Sequence, residues 1–373
     1  MSLDTLQTPA ALLDGERMQR NIRRMQRQLD ALGVAFRPHV KTSKCVAVAA
    51  RQREAGARGI TVSTLKEAEQ FFEAGFDDIL YAVGLVPGKI DRALALQRRG
   101  CRLQVTVDSV DAARAVAQAA PGLPVLIEID VDGHRSGVAP GGDELLAVGR
   151  ALHQGGGTLR GVMTHAGSSY DLNTPAALQA LAEQERALCV QAAHRLRAAG
   201  LPCPVVSVGS TPTALSAQRL DGVTEVRAGV YVFFDLVMAG VGVCTPDDVA
   251  LSVLCTVIGH QRDKGWALVD AGWMAMSRDR GTQKQALDCG YGLVCSADGT
   301  RLPGLQLVGA NQEHGIVGRA DGGADADIAQ RLPLGTRLRI LPNHACATGA
   351  QHGQYHLVQG MQVQQTWPRF GGW

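Results

Sequence analysis

The sequence predicts an α/β fold: a (β/α)8 barrel of the TIM type followed by a mainly-β domain. Three observations carry this. From about residue 34 to 240, eight short apolar runs alternate with amphipathic helical patterns. After about 245 the long helical patterns stop, and alternating apolar residues and turn residues replace them. The length of 373 residues exceeds one ordinary domain.

The elements follow in order. Asp14 caps a first helix in which Met18, Ile22, Met25, Leu29 and Leu32 recur at helical spacing, and Gly33 ends it. Its arginines between 17 and 27 read as a solvated face. Candidate strands lie at 34–41, 59–63, 78–83, 103–107, 124–130, 159–165, 204–208 and 224–228. The longest intervening helix opens on Thr174-Pro175 and stops at Gly200. A doubly wound sheet would use the same elements, so pattern alone leaves both topologies open. Further on, Leu251 to Ile258, the turn Arg262-Asp263-Lys264-Gly265, and Trp266 to Asp270 read as strand, turn and strand. Arg337 to Leu341 reads as another strand, and Tyr355 to Val358 with Met361 to Gln365 as a hairpin. The run Thr8 to Leu13 offers one more. The expected domains are therefore a barrel over 14–240 and a β-domain over 1–13 and 241–373.

Composition narrows the function. Hydrophobic residues make up 46% and charged residues 19%, which suits packed cores and argues against extended disorder. The 37 basic and 35 acidic residues nearly cancel, giving no reason to expect a nucleic-acid or membrane-surface partner. No run of 18 apolar residues exists, and the N-terminus lacks a basic segment followed by an apolar one. The nine cysteines are scattered without paired spacing, which is expected of reduced thiols in a cytoplasmic protein.

Several motifs sit where a barrel places chemistry. In Arg37-Pro38-His39-Val40-Lys41, Lys41 would close a strand at its carboxyl end. A partly desolvated lysine amine can attack a carbonyl, as in Schiff bases to pyridoxal phosphate, although a solvated surface lysine has the same local sequence. Between strands seven and eight, Val208-Gly209-Ser210-Thr211-Pro212-Thr213 brings small residues whose amides can approach an anion; Gly209, Ser210 and Thr211 are the candidates, with an ordinary turn as the alternative. Gly229, Val230 and Tyr231, after strand eight, would add amides. Arg135, after strand five, can hydrogen-bond a pyridoxal phenolic oxygen. His165, after strand six, can stack on a flat ring, and Tyr170 can reach a ring nitrogen.

In Pro342-Asn343-His344-Ala345-Cys346-Ala347-Thr348, an extended chain would turn His344 and Cys346 to one side, where nitrogen and thiolate suit zinc. Two ligands leave such a site open to water or substrate. The polar run Asn311 to Gly315, with His314, has no role fixed by sequence. Arg278 and Arg280 can pair a distal substrate carboxylate or stay on the surface.

Together these segments resemble the fold-type III pyridoxal-phosphate family, in the branch of D-serine dehydratase, D-threonine aldolase and D-threo-3-hydroxyaspartate dehydratase. The match runs through Arg37 to Lys44, Thr164 to Tyr170, Val208 to Thr213 and Pro342 to Thr348, and is strongest to the last of these. The resemblance implies an alanine-racemase-like barrel with a β-domain, a homodimer, and Lys41 as the Schiff-base lysine, with Lys44 its rival. It implies a divalent ion on His344 and Cys346, zinc by ligand type or manganese or cobalt. It also implies β-elimination from a D-3-hydroxy amino acid, giving oxaloacetate and ammonia from 3-hydroxyaspartate. Related aldolases carry aspartate where this chain has Cys346, which points to dehydration. A retro-aldol enzyme and a non-catalytic pyridoxal-phosphate carrier are the alternatives.

Overall fold

The computed structural model describes residues 2–373. The chain divides into two compact units, one of residues 23–229 and 372–373, the other of residues 1–22 and 230–371.

The chain opens with strand β1 (Ala10–Asp14), part of the second unit's sheet, and helix α1 (Gly15–Ala31). Asp14 accepts the Arg17 amide at 2.9 Å and so caps the helix. Met18, Ile22, Met25 and Leu29 are buried along it, while Arg20, Arg23, Arg24 and Arg27 are exposed.

The first unit is the barrel. Its strands are β2 (Ala35–Phe36), β3 (Ile60–Val62), β4 (Asp78–Gly84), β5 (Arg102–Val107), β6 (Pro124–Ile129), β7 (Thr158–Thr164), β8 (Val205–Val208) and β9 (Glu225–Val226). They are parallel, in the order β2-β9-β8-β7-β6-β5-β4-β3. The ends join across the seam: His39 bridges Thr61, the Thr61 amide donates to Pro38 at 2.8 Å, and the Val40 amide to Thr61 at 2.9 Å. Seam closure decides for the barrel over the doubly wound sheet. The intervening helices are α2 (Val46–Glu54), α3 (Leu65–Glu73), α4 (Ile90–Arg98), α5 (Val110–Ala119), α6 (Asp143–Gln154), α7 (Pro175–Ala198) and α8 (Thr211–Ser216). Thr174 caps α7 by accepting the Ala177 amide.

One strand is shorter than the sequence suggests. The run 34–41 is a strand only at Ala35–Phe36. Pro38 has no amide to donate, and the chain turns at 40–43, so Lys41 lies in a turn beyond the strand and not at its last residue.

A buried ion network ties the seam together. Arg37 donates to Glu225 at 2.9 Å and to Asp78 at 2.7 Å, and its side chain is 7% exposed. These two carboxylates hold its charge against burial. A Cβ at Gly59 would sit 2.2 Å from Arg37 Nη1, and Gly59 has φ +67°, so glycine is required there twice over. Arg37→Ala is expected to destabilise the protein by about 3 kcal/mol in urea unfolding, because both carboxylates lose their partner. A loss below about 1 kcal/mol would remove this network from the account of stability.

The second unit adds β10 (Leu251–Gln261), β11 (Trp266–Val269), β12 (Gly292–Ser296), β13 (Arg301–Ala310), β14 (Gly315–Arg319), β15 (Arg337–Pro342), β16 (Gln354–Gln359) and β17 (Gln362–Pro368). The sheet order is β11-β14-β13-β12-β15-β10-β1-β16-β17, and an extra β10–β11 pairing closes a smaller barrel. Val253, Val257, Val269, Leu307, Val317 and Ile340 fill its interior. Short helices α9 (Leu236–Val241), α10 (Trp273–Met276), α11 (Ile328–Arg331) and α12 (Ala345–Gly349) decorate it. Strands β12 to β14 were not apparent in the sequence. Pro303, Gly304 and Gly309 interrupt the alternation of β13, whose register against β14 shifts at Leu307/Gly309.

Candidate functional site

In the barrel unit the candidate residues gather around the His39–Lys41 turn. The exposed Lys41 lies two residues beyond His39, and its amide is 3.4 Å from His39 Nδ1. His165 follows β7; its Nδ1 is 3.2 Å from the Gly209 carbonyl oxygen, and its ring centroid is 6.3 Å from that of Tyr170. Loss of water and the Lys41 charge push His165 down to about 3. The same causes hold His39 well below the ordinary imidazole range. One lysine thus bears on two neutral imidazoles. The unfolded chain would take protons on both near pH 6.5, so their neutrality contributes stability above that pH and is lost as pH falls, towards about 3 for His165. Cofactor-free wild type is therefore expected to lose thermal stability on acidification through this window more steeply than His165→Asn; equal slopes would contradict neutral burial.

Gly209 has φ +124°, and a Cβ there would come within 2.4 Å of the Arg227 carbonyl oxygen. Ser210 caps α8, accepting the Thr213 amide at 3.2 Å, and its hydroxyl is 2.9 Å from that of Ser169. Ser169, Ser210, Thr211 and Thr213 are all buried. A Cβ at Gly229 would meet the His39 carbonyl oxygen at 3.0 Å. Val230 and the fully buried Tyr231 belong to the second unit. Arg135 pairs with Glu128 at 3.4 Å and is 55% exposed.

Lys44 is held differently. It has φ 43°, and its amine is 3.1 Å from the buried Glu67 carboxylate, which also accepts from Ser63. That pairing suits a structural role.

Beneath these residues lies a layer that sequence reasoning missed. Buried Arg227 donates to the Ser207 hydroxyl at 2.9 Å and to the Thr164 carbonyl oxygen. Glu185 accepts the Ala166 and Gly209 amides at 3.0 and 3.1 Å, and burial pushes its carboxyl up. The available signal was charge inside a strand-like run, as in Glu225-Val226-Arg227.

These residues fit pyridoxal phosphate. Close-approach glycines and buried hydroxyls suit a phosphate, a neutral imidazole suits an aromatic ring face, and a lysine suits an aldehyde.

In the second unit His344 and Cys346 are adjacent, but not by strand alternation. His344 is the N-cap of α12 and Cys346 lies in its first turn, so the predicted extended segment is corrected to a helix start. It forms because Asp235 accepts the Ala345 amide at 2.9 Å and Thr348 donates to the Met276 carbonyl oxygen at 2.7 Å. His344 Nδ1 is 2.5 Å from Asp279 Oδ2. Burial disfavours an imidazolium at His344, but the bonds to Asp279 and Cys346 outweigh it and push its pKa up to about 11. Among the described residues, no group of three or more histidine, cysteine, aspartate or glutamate side chains is arranged to hold a metal. A nitrogen and a sulfur side by side still fit an ion whose remaining positions are open.

Arg280 pairs with Asp288 at 2.7 Å, while the exposed Arg278 stacks over Trp273. His314 is exposed in the β13–β14 turn, its carbonyl accepting the Asn311 amide.

A family model of the alanine racemase N-terminal domain matches residues 13–237, and a putative serine dehydratase domain matches 250–358. The chain belongs to the alanine-racemase-like family of D-serine dehydratase and D-threonine aldolase. Within this family, it is 68% identical over 379 residues to the D-threo-3-hydroxyaspartate dehydratase of Delftia sp. strain HT23, covering 100% of this chain and 99% of that one. It is 30% identical to the D-serine dehydratase of Dictyostelium discoideum, over 95% and 94% of the two chains. The solved Delftia structure superposes with a TM-score of 0.97 at 68% identity over the full length of both chains. Structures of a metal-free cysteine-to-alanine variant and a histidine-to-alanine variant of a D-threo-3-hydroxyaspartate dehydratase, each 68% identical over all of this chain and 100% and 97% of theirs, superpose at 0.98 and 0.99. Family membership supports pyridoxal phosphate as the cofactor. No helix among the described residues is long and apolar enough to cross a membrane.

Proposed function

We propose that this chain is a pyridoxal-phosphate-dependent lyase, a divalent-metal-assisted dehydratase that converts D-threo-3-hydroxyaspartate to oxaloacetate and ammonia. The full-length 68% identity to an enzyme of that name carries the reading. The two variants of that enzyme alter a cysteine and a histidine two positions apart, as His344 and Cys346 are here, which supports the metal pair.

When bound, the cofactor supplies an electron sink for charge at the α-carbon, and the ion supplies Lewis-acid help to a departing hydroxyl. The chain's own residues do the rest. In this reading, Lys41 is the residue that would hold the cofactor through its aldehyde, and its Nζ would take the α-proton of the substrate. His165, a neutral imidazole, would pack against the cofactor ring, and Tyr170 and Arg135 would orient it. Gly209, Ser210, Thr211, Gly229, Val230 and Tyr231 would hold the phosphate. His344 and Cys346 would hold the ion, with zinc favoured by nitrogen and thiolate ligands and manganese or cobalt as activating substitutes. Elimination breaks Cα–H and Cβ–O and releases water. Hydrolysis of the resulting enamine takes water back up, leaving the 2-oxo acid and ammonia.

The barrel over 14–240 is assigned the cofactor, and the β-domain over 1–13 and 241–373 the metal. The protein is assigned as a cytoplasmic homodimer, and the absence of a disulfide among the described residues is consistent with a reducing compartment. Light scattering should then give twice the 39.4 kDa chain mass. Kinetics on D-threo-3-hydroxyaspartate, D-serine and D-threonine test the substrate: kcat/KM should be highest for the first, and a preference for D-threonine would favour retro-aldol cleavage.

A further inference from the structure

His344 and Cys346 supply two donors to an ion, and a histidine ligand binds a metal well only when its ring is held in the right tautomer and direction. Asp279 meets that requirement from outside the ligand pair. Its Oδ2 lies 2.5 Å from His344 Nδ1. An ionised carboxylate only accepts, so Nδ1 carries a hydrogen, and Nε2 is the atom that would give up its proton to offer a lone pair to an ion.

Asp279 is itself fixed. Its Oδ1 accepts the Gly281 amide at 2.8 Å, its amide donates to Ser277 Oγ at 3.2 Å, and its carbonyl oxygen accepts from Asn343 Nδ2 at 3.3 Å. Asn343 adjoins His344 in sequence, is buried, and also donates to the Gly290 carbonyl oxygen at 2.7 Å. The other nearby carboxylate, Asp235, has its two oxygens engaged by the Met238 and Ala345 amides, at 3.0 and 2.9 Å. The two acids therefore act separately, Asp235 building the turn and Asp279 facing the ring.

We propose that Asp279 is the positioning residue of the ion site, holding His344 so that Nε2 is the ligating atom and thereby setting the affinity for the ion. This rests on the reading of His344 and Cys346 as the ligands.

The test uses the full chain with pyridoxal phosphate bound, stripped of metal by a chelator and titrated with cobalt(II). Cobalt bound by Cys346 shows a thiolate charge-transfer band, and chelator competition gives the affinity. Asp279→Asn is expected to bind cobalt roughly 10- to 100-fold more weakly than wild type, with the band restored at saturation, the cofactor absorbance unchanged, and activity rescued by excess ion. Wild-type affinity in Asp279→Asn would overturn the proposal while leaving the ligand pair intact. A wild-type protein with no thiolate band would overturn the ligand pair and the proposal with it. Where Asp279→Asn does not fold, Asp279→Glu reads the same effect with the carboxylate displaced by one methylene: weakened binding supports the proposal, and unchanged binding overturns it.

Discussion

Lys41→Ala is expected to lose turnover by on the order of 10⁴-fold and to lose the borohydride-reducible bond to the cofactor. The expectation comes from where the two rival lysines sit. The Lys44 amine is 3.1 Å from the buried Glu67 carboxylate and so is engaged in an ion pair. Lys41 lies in the turn beside two imidazoles that its charge helps keep neutral. Exchanging Lys44 for glutamine strands the Glu67 charge and should lower stability by a few kcal/mol while leaving the reducible bond in place. Peptide mapping after borohydride reduction separates the cases. A label found on Lys44, or retained in Lys41→Ala, would reverse the assignment.

Replacing either His344 or Cys346 by alanine is the second large effect. Each variant is expected to bind the cofactor with an unchanged visible spectrum and to lose about 10³-fold in elimination rate. That is the loss expected when several kcal/mol of Lewis-acid help to a poor leaving group is withdrawn. The fold should survive, because α12 is anchored by Asp235 and Thr348 and not by the side chains of His344 and Cys346. Full elimination by a metal-stripped His344→Ala variant would rule out a metal role.

The barrel was legible because its strands are short apolar runs bounded by turn residues, and buried parallel strands are built that way. β2 ends at Phe36, just before Arg37-Pro38, although the apolar Val40 beyond the proline makes the run to residue 41 resemble a strand. In the second unit β13 escaped notice because its glycines and proline broke the alternation on which strand reading depends. At the site, the sequence drew attention to glycines, hydroxyls and histidines at strand ends, but it gave no sign of which charges pair across distance. His344 and Asp279 are 65 residues apart, and Arg37 lies 188 residues from Glu225. Arg278 and Arg280 drew attention in Ser277-Arg278-Asp279-Arg280, while the aspartate between them is the residue that meets His344. Periodicity reports which face of an element is buried, whereas these pairings arise only when the sheets close.

The most direct test of the central claim is product analysis of the purified protein with pyridoxal phosphate, a divalent ion and D-threo-3-hydroxyaspartate. Oxaloacetate and ammonia in equal amounts are predicted. Glycine with glyoxylate would contradict the account, replacing elimination with carbon–carbon cleavage and removing the meaning given to Cys346.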